Sequence, residues 1–370
     1  MNPPWNNPFT PTFGSLPVLL AGREDIVSDI LTGINSGPGD PNRATIFVGA
    51  RCSGKTVLLA RIAEEASALG WLSVNVNAEP DMLDEILVQI KDNAKEILPP
   101  ESQSFIDSIR IGCFGLSRTL KENEEKTTWR SEMTSIIKHL NERDIGLLIT
   151  VDEMNVKIEQ LRTLVVTFQH FVRERRKAAL IMAGLPQKVS GLLRGDSISF
   201  LGRAFQHDLK PIEENEVRFS MKKTIEIAGR KIEKDALDFA AKNTKGLPFM
   251  IQLIGYQMWR QNPGDEVISL KDAEEGVYLA QNDLERMIFG TTYRELSEKD
   301  IAFLTAMLDD NEYSRLSDIA KRMDVPPKYA GMYRKRLMEQ GIIGSAGHGK
   351  VAFELPMFRE YLQNRLLNFK

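Results

Sequence analysis

The chain has 370 residues, of which 42% are hydrophobic and 27% are charged, and its formal net charge is −3. This length suits two or three domains, because a single hydrophobic core stops growing near roughly 250–300 residues. The charge balance argues against a protein that coats nucleic acid, although it allows a local basic patch, and no apolar run reaches the roughly 18 residues of a membrane span.

The N-terminal segment, residues 1 to about 17, is rich in proline and asparagine and is predicted to form an extended arm. It has neither the basic start nor the apolar centre of a secretory signal peptide. The two cysteines, Cys52 and Cys113, do not make a disulfide framework. Together these features predict a cytoplasmic protein.

A phosphate-binding motif follows. Residues 49–56 fit G-x-x-x-x-G-K-[ST] at every fixed position, between a predicted buried strand at 44–48 and a predicted amphipathic helix at 56–69. In this setting backbone N–H groups and the positive end of the helix bind phosphate oxygens. Lys55 is predicted to reach the outer phosphates and Thr56 to hold Mg²⁺, the alternative being a glycine-rich turn with a chance lysine. The predicted nucleotide contacts of the motif are Gly49, Ala50, Arg51, Cys52, Ser53, Gly54, Lys55, Thr56 and Val57.

Strands and helices then alternate, which predicts a parallel sheet covered by helices on both faces. The further predicted strands cover residues 71–77, 145–151 and 178–183. The predicted helices between and around them cover residues 82–97, about 129–140 and 160–177. Residues 105–111 are expected to form an inserted strand or an irregular arm.

An acidic pair closes the strand predicted at 145–151, which runs directly into Asp152 and Glu153. Ligands gather beyond the carboxyl ends of strands in open α/β sheets, so Asp152 is predicted to bind Mg²⁺ through its water ligands. Glu153 is predicted to orient and polarise the attacking water. The alternative is two acids at a solvated strand end. Asn77 could hold Glu153 through its amide, but an ordinary strand-end asparagine is favoured.

Two arginines, Arg194 and Arg203, follow the last predicted strand of the sheet. An arginine supplied by a neighbouring subunit can add roughly 10³–10⁵ to the rate of phosphoryl transfer. Either arginine could serve in this way, and a surface ion pair is an equal alternative for each.

The C-terminal part of the chain is predicted to be mostly helical. The first four predicted helices cover residues 217–229, 235–243, 249–261 and 270–287. From about residue 292, a helix, a turn, a second helix at 328–340 and a glycine-rich hairpin describe a winged helix. Its candidate phosphate contacts are Lys328, Arg334, Lys335, Arg336 and Lys350. Residues 292–370 carry 13 Lys and Arg against 11 Asp and Glu, so duplex DNA and a protein partner remain equal alternatives.

Taken together, these motifs resemble the AAA+-type ATPases of the initiator (origin-recognition) group and their archaeal-ATPase and STAND relatives. The resemblance implies an α/β P-loop domain of the ASCE type with a parallel sheet, a helical lid and a C-terminal winged helix. It also implies that Leu19, Leu20 and Arg23 line the adenine base, and that Arg203 is the best match to an arginine finger. The turn at 244–248 is similar to the start of a helical lid, which brings Pro248 to the nucleotide.

The sequence departs from this pattern at two places. Ala183-Gly184 lacks the polar residue that commonly senses the γ-phosphate, and Leu247-Pro248 replaces a common sensing arginine. The match is therefore closer to the STAND-like branch, whose members tend to act as slow nucleotide switches.

The expected function is that of a Mg-dependent, slowly hydrolysing ATPase switch that repositions its winged helix. The expected domains are residues 1–205, 206–291 and 292–370, with Glu153, Lys55 and Arg203 as catalytic residues. The alternatives are an ATP-gated DNA-binding initiator or regulator, and a signalling or defence scaffold that forms homo-oligomers on ATP.

Overall fold

The computed structural model describes residues 6–12, 14–109, 128–155, 159–193 and 201–367. The chain forms two compact units. We call Arg23–Gly49 with Lys55–Leu209 the sheet unit, and Met1–Gly22 with Ala50–Gly54 and Lys210–Lys370 the helical unit. No helix within the described ranges is long and apolar enough to cross a membrane.

The sheet unit is an alternation of strands and helices. Its strands are β1 (Ala44–Val48), β2 (Leu72–Asn77), β3 (Leu147–Asp152), β4 (Ala178–Gly184) and β5 (Phe205–Asp208). Its helices are α1 (Glu24–Asn35), α2 (Lys55–Ala68), α3 (Met82–Ile97), α4 (Gln103–Ser108), α5 (Trp129–Asn141), α6 (Glu159–Arg173) and α7 (Pro186–Leu193). β4 is buried along its whole length and β3 along all but its last residue, as expected for central parallel strands covered on both faces.

The five strands are parallel and lie in the order β2-β3-β4-β1-β5. The predicted parallel sheet is therefore confirmed. The phosphate loop follows β1 and the acidic pair closes β3, so β4 separates the two motifs. The carboxyl end of β4 consequently lies between them.

The fifth strand, β5, was not predicted. It pairs with β1 from Thr45↔Phe205 to Val48↔Asp208. Its sequence Phe-Gln-His-Asp has no apolar run, because it is an edge strand with a largely exposed surface.

The expectation of an inserted strand at 105–111 is wrong for the described residues, since α4 covers Gln103–Ser108. The aromatic ring of Phe105 stacks on His139 of α5 with centroids 3.9 Å apart. Phe105 is half-buried and Ile109, four residues later, is buried, which is helical rather than extended spacing. Residues 110–127 lie outside the described residues.

The helical unit begins with the predicted extended arm. The structure describes residues 6–12 and 14–17 of this arm. Asn7 Nδ2 donates to the Tyr256 carbonyl at 3.0 Å, and Thr10 N donates to Gln252 Oε1 at 3.1 Å. Phe9 is only 2% exposed and packs over Gly255, where a Cβ would collide with its ring. The arm is thus part of the core of the helical unit.

The rest of the helical unit contains a group of helices and then a helix–turn–helix with a small sheet. Its helices are α8 (Glu214–Ile227), α9 (Lys234–Asn243), α10 (Pro248–Trp259), α11 (Leu270–Leu284), α12 (Gly290–Arg294), α13 (Glu298–Met307), α14 (Leu316–Arg322), α15 (Pro327–Glu339) and α16 (Phe358–Leu367). Its strands are β6 (Lys231–Ile232), β7 (Val267–Ile268), β8 (Ser314–Arg315), β9 (Ile343–Ser345) and β10 (Lys350–Phe353). β8 precedes α14, and β9 and β10 follow α15; the three strands form an antiparallel sheet in the order β8-β10-β9, which gives the predicted winged helix.

Candidate functional site

The phosphate loop joins β1 to α2 and has an unusual backbone. Cys52 has φ 65° and Gly54 has φ 86°. Left-handed conformations at alternate positions turn successive N–H groups towards one side of the chain and form an anion-binding concavity. A non-glycine residue in this region costs on the order of 1–3 kcal/mol, and such strain concentrates at functional sites. The loop therefore has the local geometry that its sequence motif requires.

Two side chains of the loop are buried although they are polar. Lys55 is 7% exposed, and its Nζ donates to the Gly49 carbonyl at 3.1 Å. The Ser53 hydroxyl is buried with no hydrogen-bond partner among the described residues. A buried hydroxyl without a partner is costly, and a buried cation favours an anion nearby. An anionic phosphate fits both requirements.

The two motifs meet at Thr56 and Asp152, which are 96 residues apart in the sequence. Thr56 Oγ1 donates to Asp152 Oδ2 at 2.5 Å. The second carboxylate oxygen, Oδ1, accepts from the Glu153 backbone N–H at 2.8 Å, which fixes the orientation of the Asp152 side chain. A hydroxyl and a carboxylate placed together are oxygen ligands suited to a hard divalent cation.

No group of three or more His, Cys, Asp or Glu side chains that could hold a metal ion occurs in the part of the chain that the structure describes. A cation at Thr56 and Asp152 would thus need other oxygen donors. Mg²⁺ is commonly held in this way, by one or two protein ligands together with water and substrate phosphates. The site fits Mg²⁺ bound with a nucleotide better than it fits a metal bound by the protein alone.

Glu153 lies one residue beyond β3 in a left-handed conformation, with φ 54°. Its carboxylate accepts from Lys188 Nζ at 3.3 Å, with 59% of the Glu153 side chain and 26% of the Lys188 side chain exposed. Among the hydrogen bonds of the described residues, none joins Glu153 to Asn77, so the structure favours the ordinary strand-end interpretation of Asn77. Sequence reasoning missed Lys188, whose only signal is that it is the first cation after β4.

The remaining predicted nucleotide contacts have varied environments. Arg51 is exposed, and Ala50 and Val57 are half-buried. Within the helical unit, Leu20 is buried, and Pro248, the first residue of α10, lies against Gly54. A Cβ at Gly54 would come within 3.2 Å of the Pro248 ring, so the loop and this proline are close neighbours.

Three predicted arginines belong to the sheet unit, and the two that lie among the described residues differ in exposure. Arg23 precedes α1 and is half-buried, and burial lowers the pKa of its guanidinium below the ordinary value. Arg203 is exposed in the turn before β5. Arg194 lies outside the described residues. An exposed Arg203 is compatible with a contact to a neighbouring molecule, and its predicted role stays a prediction.

The five basic residues of the winged helix fall into separate environments. Lys328 and Lys335 are exposed on α15, and Arg334 is half-buried. Lys350 places its Nζ 3.9 Å from the centre of the Tyr313 ring, which is a cation–π contact.

Arg336 is occupied by a structural contact. Its Nε donates to Asp300 Oδ1 at 3.0 Å, and its Nη2 donates to Asp300 Oδ2 and, at 2.7 Å, to Ser297 Oγ. Asp300 is 2% exposed, so Arg336 neutralises a buried carboxylate. The structure therefore assigns Arg336 to the joining of α13 and α15 rather than to the predicted phosphate contact.

Known structures share this fold. A Walker-type ATPase of Pyrococcus abyssi is 16% identical, with 93% of this chain and 96% of that chain covered and a TM-score of 0.61. The ORC2 protein of Aeropyrum pernix, in its ADP form, is 14% identical, with 97% of each chain covered and a TM-score of 0.56. Residues 286–362 match a domain of unknown function, DUF8462. No curated protein sequence matches the chain.

The chain thus has the α/β P-loop fold of the AAA+-type ATPases. Over nearly its whole length it resembles an archaeal Walker-type ATPase and an origin-recognition-like protein, as the sequence motifs predicted. At these identities the likeness establishes the fold, and the chemistry of the site rests on the residues described above.

Proposed function

We propose that the chain binds ATP with Mg²⁺ at the phosphate loop and hydrolyses it slowly, as a nucleotide-dependent switch. One observation carries the proposal: the Thr56 hydroxyl lies 2.5 Å from the Asp152 carboxylate, beside the buried Lys55. Two sequence motifs that are far apart in the chain are thereby combined into one site with a cation for phosphate and two oxygens for a metal.

Each residue of the site has a distinct task in this proposal. Lys55 binds the outer phosphates, and Thr56 and Asp152 hold Mg²⁺, directly or through water. Bound Mg²⁺ neutralises charge on the phosphate oxygens. Glu153 orients the attacking water and accepts its proton. Arg203 would act on the site of a neighbouring copy, which is why its exposure suits the role.

Two features around the site support slow turnover. The end of β4 is buried and apolar, with no polar group at Ala183 or Gly184 to bind a terminal phosphate. Glu153 is paired with Lys188, and this pair must separate before the carboxylate can orient water. Both features raise the barrier to hydrolysis without weakening the phosphate loop.

The switch itself would use three parts of the chain. We assign nucleotide binding to the P-loop part of residues 1–205, a lid to residues 206–291, and the responding domain to the winged helix at 292–370. The N-terminal arm within residues 1–205 packs on α10 of the lid. A change of nucleotide would alter the lid and hence the position of the winged helix, as in other order–disorder and hinge switches.

Thermal unfolding with and without Mg-ATP tests the proposal. At 100 times its dissociation constant, a ligand stabilises the folded state by about 2.7 kcal/mol, which raises the melting temperature. Lys55→Ala should abolish the shift and the turnover, whereas Glu153→Gln should keep the shift and lose the turnover. A wild-type melting curve that saturating Mg-ATP leaves unchanged would refute the proposal.

Duplex DNA is a second candidate partner, favoured by the exposed Lys328 and Lys335 on α15, the helix that enters the major groove in winged-helix proteins. DNA affinity should then fall with salt and fall further in the Lys328→Ala/Lys335→Ala variant. Absence of DNA binding, together with ATP-dependent oligomers that dissociate on Arg203→Ala, would favour the scaffold alternative instead.

A further inference from the structure

The carboxyl end of β4 lies between the two halves of the candidate site. On one side, Met154 N donates to the Ala183 carbonyl at 2.9 Å, directly after Glu153. On the other side, Gly49 N donates to the Gly184 carbonyl at 3.3 Å, at the first residue of the phosphate loop. The residues that directly follow β4 therefore lie between Glu153 and the phosphates that the loop would bind.

A side chain at Gly184, the last residue of the strand, would be crowded. A Cβ at Gly184 would come within 3.0 Å of Met154 Cβ and 3.2 Å of Val189 Cγ2. These contacts are closer than ordinary van der Waals packing, so a side chain at this position would require Met154 and Val189 to shift. The next element, α7, can instead supply a group that binds the terminal phosphate.

Lys188 is in the first turn of α7, four residues after Gly184. It is the first basic residue after β4. Its ammonium already reaches Glu153 on the β3 side, at 3.3 Å. Adjacent strands in a sheet are about 4.8 Å apart, and β4 has β3 on one side and β1 on the other. From the end of β4, the phosphate loop after β1 is therefore about as far away as Glu153 after β3. A lysine has a flexible four-carbon stem and a compact charge, which suits it to exchange one anion for another.

The ion pair between Lys188 and Glu153 is weak enough for such an exchange. More than half of the Glu153 side chain is exposed, and exposed pairs contribute little because water screens them. A terminal phosphate carries more negative charge than one carboxylate and would compete for the same ammonium.

We propose that Lys188 binds the terminal phosphate of the nucleotide and that Glu153 competes for it. The proposal rests on the proposed function and assigns to Lys188 the discrimination between nucleoside triphosphate and diphosphate. When Lys188 moves from Glu153 to the phosphate, the Glu153 carboxylate becomes available to orient water. Binding of the triphosphate and activation of Glu153 are therefore coupled through the Lys188 side chain.

The test measures the affinity of ATP and ADP, each with Mg²⁺, in the Glu153→Gln background, where turnover does not deplete ATP. Adding Lys188→Ala should weaken ATP at least about tenfold, the effect of about 1.4 kcal/mol expected for a charge-assisted contact, and should change ADP less than about twofold. Lys188→Arg should restore most of the preference for ATP.

Lys177→Ala is the matched control. Lys177 is 28% exposed and pairs with Asp144 at 2.9 Å, but it lies at the amino end of β4, away from the site. This change should leave both affinities unaltered. Equal weakening of ATP and ADP by Lys188→Ala, or no change in either, overturns the inference alone. Failure of the Glu153→Gln protein to bind either nucleotide overturns both the inference and the proposed function.

Discussion

Replacing Arg336 by alanine tests whether this residue stabilises the winged helix, as its contacts indicate. Arg336 bonds to both oxygens of Asp300, which also caps α13 by accepting from Ser297 N at 2.9 Å and from Ser297 Oγ at 2.7 Å. Arg336→Ala leaves a carboxylate that is 2% exposed with only the Ser297 donors.

The expected cost follows from these exposures. A lost hydrogen bond to a buried charged group costs about 1.5–3 kcal/mol. Since 47% of the Arg336 side chain is exposed, water screens part of the interaction, and the lower end of that range, about 1.5 kcal/mol, is expected. This corresponds to roughly a tenfold increase in local opening of the α13–α15 region.

Hydrogen exchange measured by mass spectrometry reports this opening in the full-length chain. Peptides from residues 297–340 should exchange about tenfold faster in Arg336→Ala, whereas peptides from the sheet unit should not change. Lys335→Ala, at an exposed neighbouring position, is the matched control and should exchange like the wild type. Equal exchange in the two variants would refute a structural role for Arg336.

Three further predictions concern the arm, the sheet edge and the metal. Phe9→Ala should cost about 3–5 kcal/mol in the unfolding of the helical unit, measured by urea titration, because it removes a buried ring over Gly255. Burial lowers the pKa of His207 below 6.5, so the unfolded chain binds the proton first. The contribution of His207 to the free energy of unfolding is thus complete above about pH 6.5 and lost as the pH falls towards the folded-state pKa. His207→Gln should therefore reduce the loss in free energy of unfolding, measured by urea titration, between about pH 7.5 and 5.5. Asp152→Asn should make thermal stabilisation by ATP independent of Mg²⁺, because Thr56 alone cannot hold the cation; an unchanged Mg²⁺ requirement would contradict this.

The phosphate loop could be predicted because its information is local. Eight consecutive residues fix the glycines, the lysine and the threonine, and the flanking strand and helix have clear periodicities. Asp152 and Glu153 were recognisable for the same reason, since a buried strand that ends in two acids is a continuous pattern. The structure adds that Thr56 and Asp152 are in direct contact.

Other features had no local signal. β5 is a polar strand at the edge of the sheet, next to β1, so the alternation of apolar and polar residues that marks other strands is missing. The role expected for Arg336 changed because its partner, Asp300, is 36 residues away in the sequence. A basic residue on a recognition helix looks the same in sequence whether it faces solvent or a buried carboxylate.

By itself the sequence determined the fold class, the phosphate loop and the acidic pair, because backbone geometry and side-chain periodicity link neighbouring residues directly. Only the tertiary structure decided the strand order, which places β4 between the two motifs. That order brings Lys188 to Glu153 across 35 residues of sequence. Such pairings depend on how helices and strands pack, and packing is a property of the whole core rather than of any segment.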